Sequence, residues 1–268
     1  MKGIILAGGN SSRMQNLSEK RAISAMSVAC SYRCIDFVLS NMTNSNIQTV
    51  AVLSQYNARS LNEHLNSSKW WNFGRKQGGL FLFTPTVTSD NSWWYRGTAD
   101  AMWQNIDFLK KRHEPYVVIA SGDCVSKMDF NEILEYHIAK QSDITVVCAK
   151  LPEWEDPKRF GLVKLDMEGR IMEFDEKPMV ADSDIVSTGV YVIRRRTLIE
   201  LLEQSNEEGR YNFVTDVLIR QKGLKKIYGY MLDGYWSNIA SVESYYRTNM
   251  DFLKKDIRDY FFHQEPQI

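Results

Sequence analysis

The chain has 268 residues, 44% of them apolar and 25% charged, with Lys+Arg and Asp+Glu balanced at 33 each. That length supports one large α/β domain with a substantial core, and the neutral balance gives no ground for a general affinity for nucleic acid or an anionic membrane. No apolar run approaches the roughly 20 residues that cross a bilayer. The first residues read as a strand, so no signal peptide is expected. Four cysteines without C-x-x-C spacing (Cys30, Cys34, Cys124, Cys148) read as reduced thiols of a cytoplasmic protein rather than as a zinc site.

In chain order, residues 3–7 form a continuous apolar run, the mark of a parallel strand covered on both faces. The run enters a small-residue loop. Gly8 and Gly9 let a ring or a phosphate approach the backbone, the N–H groups of Asn10, Ser11 and Ser12 can face an anion, and Arg13 adds a planar cationic fork. G-x-G-x-x-G and G-x-x-x-x-G-K-[ST] are both absent here, which argues against a dinucleotide-binding dehydrogenase and a P-loop enzyme. A helix follows Arg33. Residues 47–53 predict a strand ending at Gln55-Tyr56, 58–65 a helix, 69–79 an aromatic loop and 80–83 a third strand. Thr98 opens a helix with Asp100 in its first turn, 116–120 is a strand ending at Ser121-Gly122-Asp123, 129–140 a helix and 144–149 a strand. This alternation predicts an α/β, Rossmann-like, mostly parallel sheet with helices on both faces.

The second half changes character. Residues 161–166 and 170–174 flank a turn and predict a hairpin. A strand is expected at 190–193, helices at 197–204 and 211–222, and a strand at 226–231. A closing helix at 241–253 places Val242, Tyr245, Tyr246, Met250 and Leu253 on one side. Residues 256–268 read as a tail or the start of a linker.

Ligands of open parallel sheets bind beyond the carboxyl ends of the strands, where the Gly8-Gly9 loop, Gln55 and Asp123 fall. Asp123 suits Mg²⁺, which takes few carboxylates together with waters and phosphate oxygens; an Asx-turn or helix cap would use the same dipeptide. In Tyr95-Arg-Gly-Thr-Ala-Asp-Ala101, Gly97 allows close approach, and a helix starting at Thr98 aims its N–H groups at a ligand. An ordinary capped helix fits that pattern equally well. Glu176-Lys177 could hold sugar hydroxyls and a phosphate, or form a solvated pair, and Ser187 to Tyr191 offers further hydroxyls.

Together these stretches resemble the glucose-1-phosphate adenylyltransferases of bacterial glycogen synthesis. The resemblance is carried by Leu6-Ala-Gly-Gly with Arg13, Arg21-Ala22, Tyr32-Arg-Cys-Ile-Asp-Phe37, Ser40-Asn41, Gln55-Tyr56, Tyr95-Arg-Gly-Thr-Ala-Asp-Ala101 and Gly122-Asp123. It continues through Lys127-Met-Asp129, Phe160-Gly161, Phe174-Asp-Glu-Lys-Pro178, Ser187-Thr-Gly-Val-Tyr191 and Tyr235-Trp236. It implies a nucleotidyltransferase fold of the glycosyltransferase-A kind over residues 1–255, in which glucose 1-phosphate attacks the α-phosphorus of ATP to give ADP-glucose and pyrophosphate. It further implies that Leu6, Ala7, Gly8, Gly9, Gln55, Gly97, Thr98, Ala99 and Asp100 hold the nucleotide. Arg13 and Asp123 are then catalytic, and Tyr95, Gly161, Glu176, Lys177, Ser187 and Tyr191 hold glucose 1-phosphate. Mg²⁺ falls to Asp123 and Asn238. The family's C-terminal β-helix domain has no counterpart in these residues.

The departures bear on activity. Ser11 stands where the family has a third glycine, and Ile23-Ser24 where it has Lys-Pro. Ala29-Cys30-Ser31 replaces Gly-Gly-Lys, and Gly-Asp-Cys-Val-Ser replaces Gly-Asp-His-Ile-Tyr. Asn238, within Trp236-Ser-Asn-Ile-Ala240, replaces the second metal-binding Asp. Losing one charge-assisted contact to a transition state costs about 2.7–4 kcal/mol. Two such losses predict a degenerate, GlgD-type subunit with weakly held Mg²⁺ that pairs with a catalytic paralogue. The alternative is a working ADP-glucose or other NDP-sugar pyrophosphorylase in which another cation, such as Lys20, takes over. Gly-Gly-x-Ser-x-Arg-Met also resembles molybdenum-cofactor guanylyltransferases, but those carry a Gly and a Lys soon after the Met, and residues 15–20 hold no Gly.

Overall fold

The computed structural model describes residues 1–9, 12–66, 71, 73, 78–86, 94–111 and 113–268. The chain divides into two compact units that interleave in sequence. A terminal unit comprises residues 2–84, 120–130 and 234–268; a central unit comprises 85–119 and 131–233, with Met1.

In the terminal unit the strands Lys2–Leu6, Thr49–Leu53 and Gly79–Phe83 pair in parallel, with Gly3 opposite Val50 and Thr49 opposite Gly79. The runs Ile4-Ile5 and Val50-Ala-Val-Leu53 are buried throughout, as strands covered on both faces must be. Parallel neighbours need crossovers, supplied by helices Cys34–Asn44 and Ala58–Leu65. The two helices are tied by Asp36, which accepts the Arg33 N–H at 2.8 Å and meets His64 Nε2 at 2.6 Å. A two-stranded ribbon joins Cys124–Ser126 to Trp236–Asn238, with Asn238 opposite Cys124. Asn41 anchors this region by donating to Ser126 O at 3.0 Å and accepting from Met128 N at 3.1 Å.

Two expectations fail in this unit. The expected tail carries the helix Lys255–Phe262. Phe261 is 0% exposed and meets Phe37 edge-on at 5.4 Å, while Phe262 stacks on Tyr32 at 4.9 Å. Lys127 Nζ donates to the carbonyls of Tyr260 and Gln264, each at 2.7 Å. Ile257, Tyr260 and Phe261 have helical spacing, but interleaved charges hide it. Of the apolar side expected for the closing helix, Val242–Asp251, only Tyr245 packs on the core, donating to Ser27 O at 2.8 Å; Val242, Tyr246, Met250 and, just beyond the helix, Leu253 are exposed, Tyr246 at 61%. The buried positions are Ser244 and Thr248, whose hydroxyls are satisfied by Ser241 and by Ser244 O and Ser237. Burying a polar group costs little once it is hydrogen-bonded.

In the central unit the strand Ile144–Lys150 pairs in parallel with Ile227–Met231 and antiparallel with Ile185–Arg194. Gly161–Leu165 and Ile171–Glu176 form the expected hairpin. Asp166 accepts the N–H groups of Glu168 and Arg170 across its turn, and Gly169 takes φ +84. The strands described in the terminal unit's sheet are thus parallel, those of the central unit are mixed, and the fold class is α/β. The expected helix at 211–222 opens as a π-helix, Phe213–Leu218, capped by Asn212, and continues as Ile219–Gln221. No helix of the described residues is long and apolar enough to cross a membrane.

Candidate active site

The terminal unit gathers the loop after the first strand, Gln55, Asp123 and Asn238. Ala7 donates to Leu53 O at 2.8 Å and Gly122 donates to Leu6 O at 2.9 Å, so three strand ends share one backbone network. A Cβ on Gly122 would lie 3.3 Å from Ala7 Cβ, which holds Asp123 beside the loop. A Cβ on Gly8 would meet Gln55 at an ordinary 3.5 Å, and one on Gly9 would meet nothing within 4 Å. Protein packing therefore does not demand glycine at either position, which is consistent with a surface kept low for a ligand. Asn10 and Ser11 lie outside the described residues. Arg13 is exposed at the start of the 3-10 segment Ser12–Ser18.

Asp123 Oδ1 accepts from Ser121 Oγ at 2.6 Å, and Ile239 N donates to Asp123 O at 3.0 Å, which brings Asn238 to the neighbouring rung. The Asn238 side chain is turned to local use: Oδ1 accepts Ala240 N–H at 3.1 Å, and Nδ2 points at Cys124 Sγ at 3.6 Å. Burial, with the Asp123 charge adding to it, pushes the Cys124 thiol well above its ordinary range. As a magnesium set these residues offer one carboxylate and one amide oxygen already in use. Mg²⁺ bound to phosphates ordinarily takes only one or two protein carboxylates, together with several waters. Ile23 is 4% exposed, within a cluster formed with Met14, Met26, Val28, Phe37, Val125 and Ile239.

The central unit gathers the remaining candidates. Gly161 stands opposite Glu176 in the hairpin ladder, and Val186 stands opposite Leu162, which sets Ser187 beside them. Gly161 is demanded by packing, since a Cβ there would lie 2.5 Å from the Phe174 ring and 2.9 Å from Glu176 Oε2. Lys177 takes φ 49 and donates its N–H to Phe160 O at 3.0 Å; its exposed Nζ lies 3.4 Å from Glu176 Oε1. The strand bulges between Ser187 and Val190, with Gly189 at φ 77. Ser187 Oγ and Tyr191 Oη lie 3.2 Å apart, and the Tyr191 ring meets Phe213 edge-on at 5.4 Å.

The segment Tyr95 to Asp100 departs from expectation. The helix Thr98–Gln104 does not aim its first N–H groups at a ligand, because Ala99 and Asp100 donate to Tyr211 O at 2.8 and 3.2 Å. Gly97 makes room for that same carbonyl, which would lie 2.3 Å from a Cβ. Thr98 Oγ1 accepts Phe213 N–H at 2.9 Å. Asp100 is enclosed and accepts Arg96 N, Arg96 Nη2 and Gln104 Nε2 at 2.8–2.9 Å, so its carboxylate faces protein donors. The helix start met a distant carbonyl, which sequence spacing cannot show. Tyr95 Oη accepts from Asn105 Nδ2 at 3.0 Å, and burial raises its pKa. Tyr211 and Phe213 carried no sequence signal, and only the capping residue Asn212 marks their place.

The nucleotidyl transferase family matches residues 2–255. A glucose-1-phosphate adenylyltransferase of Desulfitobacterium hafniense (strain Y51) is 38% identical over 99% of this chain and 67% of its own length. Relatives of the same name from Thermosipho africanus and Bacillus subtilis are 38% and 37% identical, over 98% and 94% of this chain and 64% and 67% of their lengths. The chain therefore spans about two thirds of the relatives it matches. A solved structure from Bacillus anthracis, described as a glucose-1-phosphate thymidylyltransferase in complex with a sucrose, superposes with TM-score 0.73 at 21% identity, covering 94% of this chain and 95% of that one. The strand-and-loop opening, the in-register Gly161 and Glu176, and this likeness along almost the whole length lead to one conclusion: the chain belongs to the nucleotidyl transferase family, among the glucose-1-phosphate adenylyltransferases.

Proposed function

We propose that this chain is a nucleotidyltransferase domain of glycogen synthesis that binds ATP and glucose 1-phosphate, the substrates of ADP-glucose formation, with little or no turnover of its own. In this reading Leu6 to Gly9, Gln55 and Arg13 take the nucleotide. Glu176, Lys177, Ser187 and Tyr191 take the sugar phosphate, with Gly161 keeping the surface low beside them. Asp123 is the one protein carboxylate for Mg²⁺, which neutralises phosphate charge when bound and would be held weakly. Such a subunit acts in the cytoplasm by pairing with a catalytic paralogue.

The observation that carries this reading is the burial of Ile23 among Met14, Val125 and Ile239. The resemblance puts a phosphate-neutralising lysine at this position, and an apolar cluster cannot supply that charge. Calorimetric titration of the chain with each substrate, with and without Mg²⁺, tests it. Both should bind, and Mg²⁺ should strengthen ATP binding only slightly. Failure of both to bind overturns the reading. The exposed cations Arg13, Lys20 and Arg21 in the same unit favour a second reading, an active pyrophosphorylase, and that reading requires ordinary turnover.

A further inference from the structure

We infer that Arg96 is a positioning residue that sets the turn 95–100 and the Phe213–Tyr191–Ser187 group as one piece. Its guanidinium forks onto Asp100, with Nη2 2.8 Å from Oδ1 and Nε 3.4 Å from Oδ2. The same group lies 3.7 Å over the centre of the Tyr211 ring and donates from Nη1 to the Tyr211 hydroxyl at 2.7 Å. The Asp100 side chain is 0% exposed, so its charge is balanced inside the protein by Arg96 and by the N–H donors around it. A bidentate, stacked guanidinium fixes direction as well as distance, which an ammonium cannot do.

The backbone follows the same path. Tyr211 O takes the N–H groups of Ala99 and Asp100, and Thr98 Oγ1 takes that of Phe213. Turn 95–100 therefore cannot shift without carrying 211–213 with it. Phe213 is fully buried and packs edge-on against Tyr191, whose hydroxyl reaches Ser187. Asp216 folds the far side of the segment down by accepting from Tyr211 N and Asn212 N, and these two bonds hold its carboxyl below the usual range. Arg96 thus stands at one end of a continuous chain of contacts that ends on the two hydroxyls assigned to the sugar phosphate. The ligand part of this inference rests on the proposed function; the mechanical part does not.

Hydrogen exchange resolved at Ala99, Asp100 and Phe213, together with calorimetric titration with glucose 1-phosphate, tests it on the wild type, Arg96→Ala, Arg96→Lys and Tyr211→Phe. Arg96→Ala should speed exchange at all three amides together and weaken glucose 1-phosphate by about tenfold, the effect of one lost charge-assisted hydrogen bond. Arg96→Lys should behave like Arg96→Ala, and added ethylguanidinium should restore part of the affinity of Arg96→Ala, which a change in stability alone would not allow. If Arg96→Ala does not fold, Tyr211→Phe, which loses only the hydroxyl, should show the same pattern more weakly. Faster exchange confined to Ala99 and Asp100 would overturn the inference. So would coupled exchange with glucose 1-phosphate binding left unchanged. If the wild type binds no glucose 1-phosphate, the functional reading fails by itself and the exchange pattern still decides whether the brace exists.

Discussion

In the central unit, Gly161 faces Glu176 across a ladder, Ser187 reaches Tyr191 through a bulge, and each feature is backed by close packing. In the terminal unit the loop backbone is kept as well, with Gly8 and Gly9 open and Gly122 tight against Ala7. At two positions where the resemblance implies charge, Ile23 lies in the core and the Asn238 amide serves Ala240 and Cys124. The difference separates two things that a shared motif merges. Where packing demands a glycine, as at Gly161, the fold itself protects the backbone geometry, a protection that Gly8 and Gly9 do not share. A charge that serves only a ligand has no such protection, and a buried apolar residue in its place even adds to stability.

The comparison can be broken from several directions. The largest effect is expected for Phe261→Ala, which empties the centre of the terminal core and should cost about 3–5 kcal/mol. Urea unfolding measures it, and an unchanged midpoint would return residues 256–268 to the status of a tail. Ile23→Lys should cost about 3 kcal/mol or more by placing an unpaired charge among Met14, Val125 and Ile239. It should also bring no gain in ADP-glucose formation, whereas an active, undiminished variant would show that the position still faces a ligand.

Acid should act on the central unit through His137. Burial, with Arg194 adding to it, lowers its pKa from 6.5 to about 4, and Nδ1 lies 2.8 Å from Thr145 Oγ1. The folded state therefore favours the neutral ring. That contribution is fully present above pH 6.5 and fades as pH falls toward 4, by on the order of 2–3 kcal/mol. His137→Gln should flatten the stability profile between those values, and an unchanged profile would remove His137 from the account. The smallest effect is expected for Ser187→Ala. It should leave stability within about 1 kcal/mol and weaken glucose 1-phosphate while sparing ATP. Equal weakening of both ligands would erase the distinction between the two groups of residues.

Much of this arrangement could be read from the residues. The strand ahead of Gly8, the helix Ala58–Leu65 and the hairpin around Gly169 follow from local period and turn chemistry. The placements that could not be read all depend on distant partners. Tyr211 O reaches the start of the helix at Thr98 from far along the chain, turning an apparent anion site into an internal joint. Ser244 and Thr248 are buried because each finds a hydroxyl or carbonyl, which a hydrophobic pattern ranks as a surface face. The helix Lys255–Phe262 is invisible for the opposite reason: its four charged residues interleave with the four that pack on the core, Ile257, Tyr260, Phe261 and Phe262.

The most direct test of the central claim is the initial rate of ADP-glucose formation by this chain with saturating ATP, glucose 1-phosphate and Mg²⁺. With two charge-assisted contacts replaced, the rate should fall at least about 10²–10³-fold below that of a working enzyme. A rate in the ordinary range of about 1–10³ s⁻¹ would contradict the account.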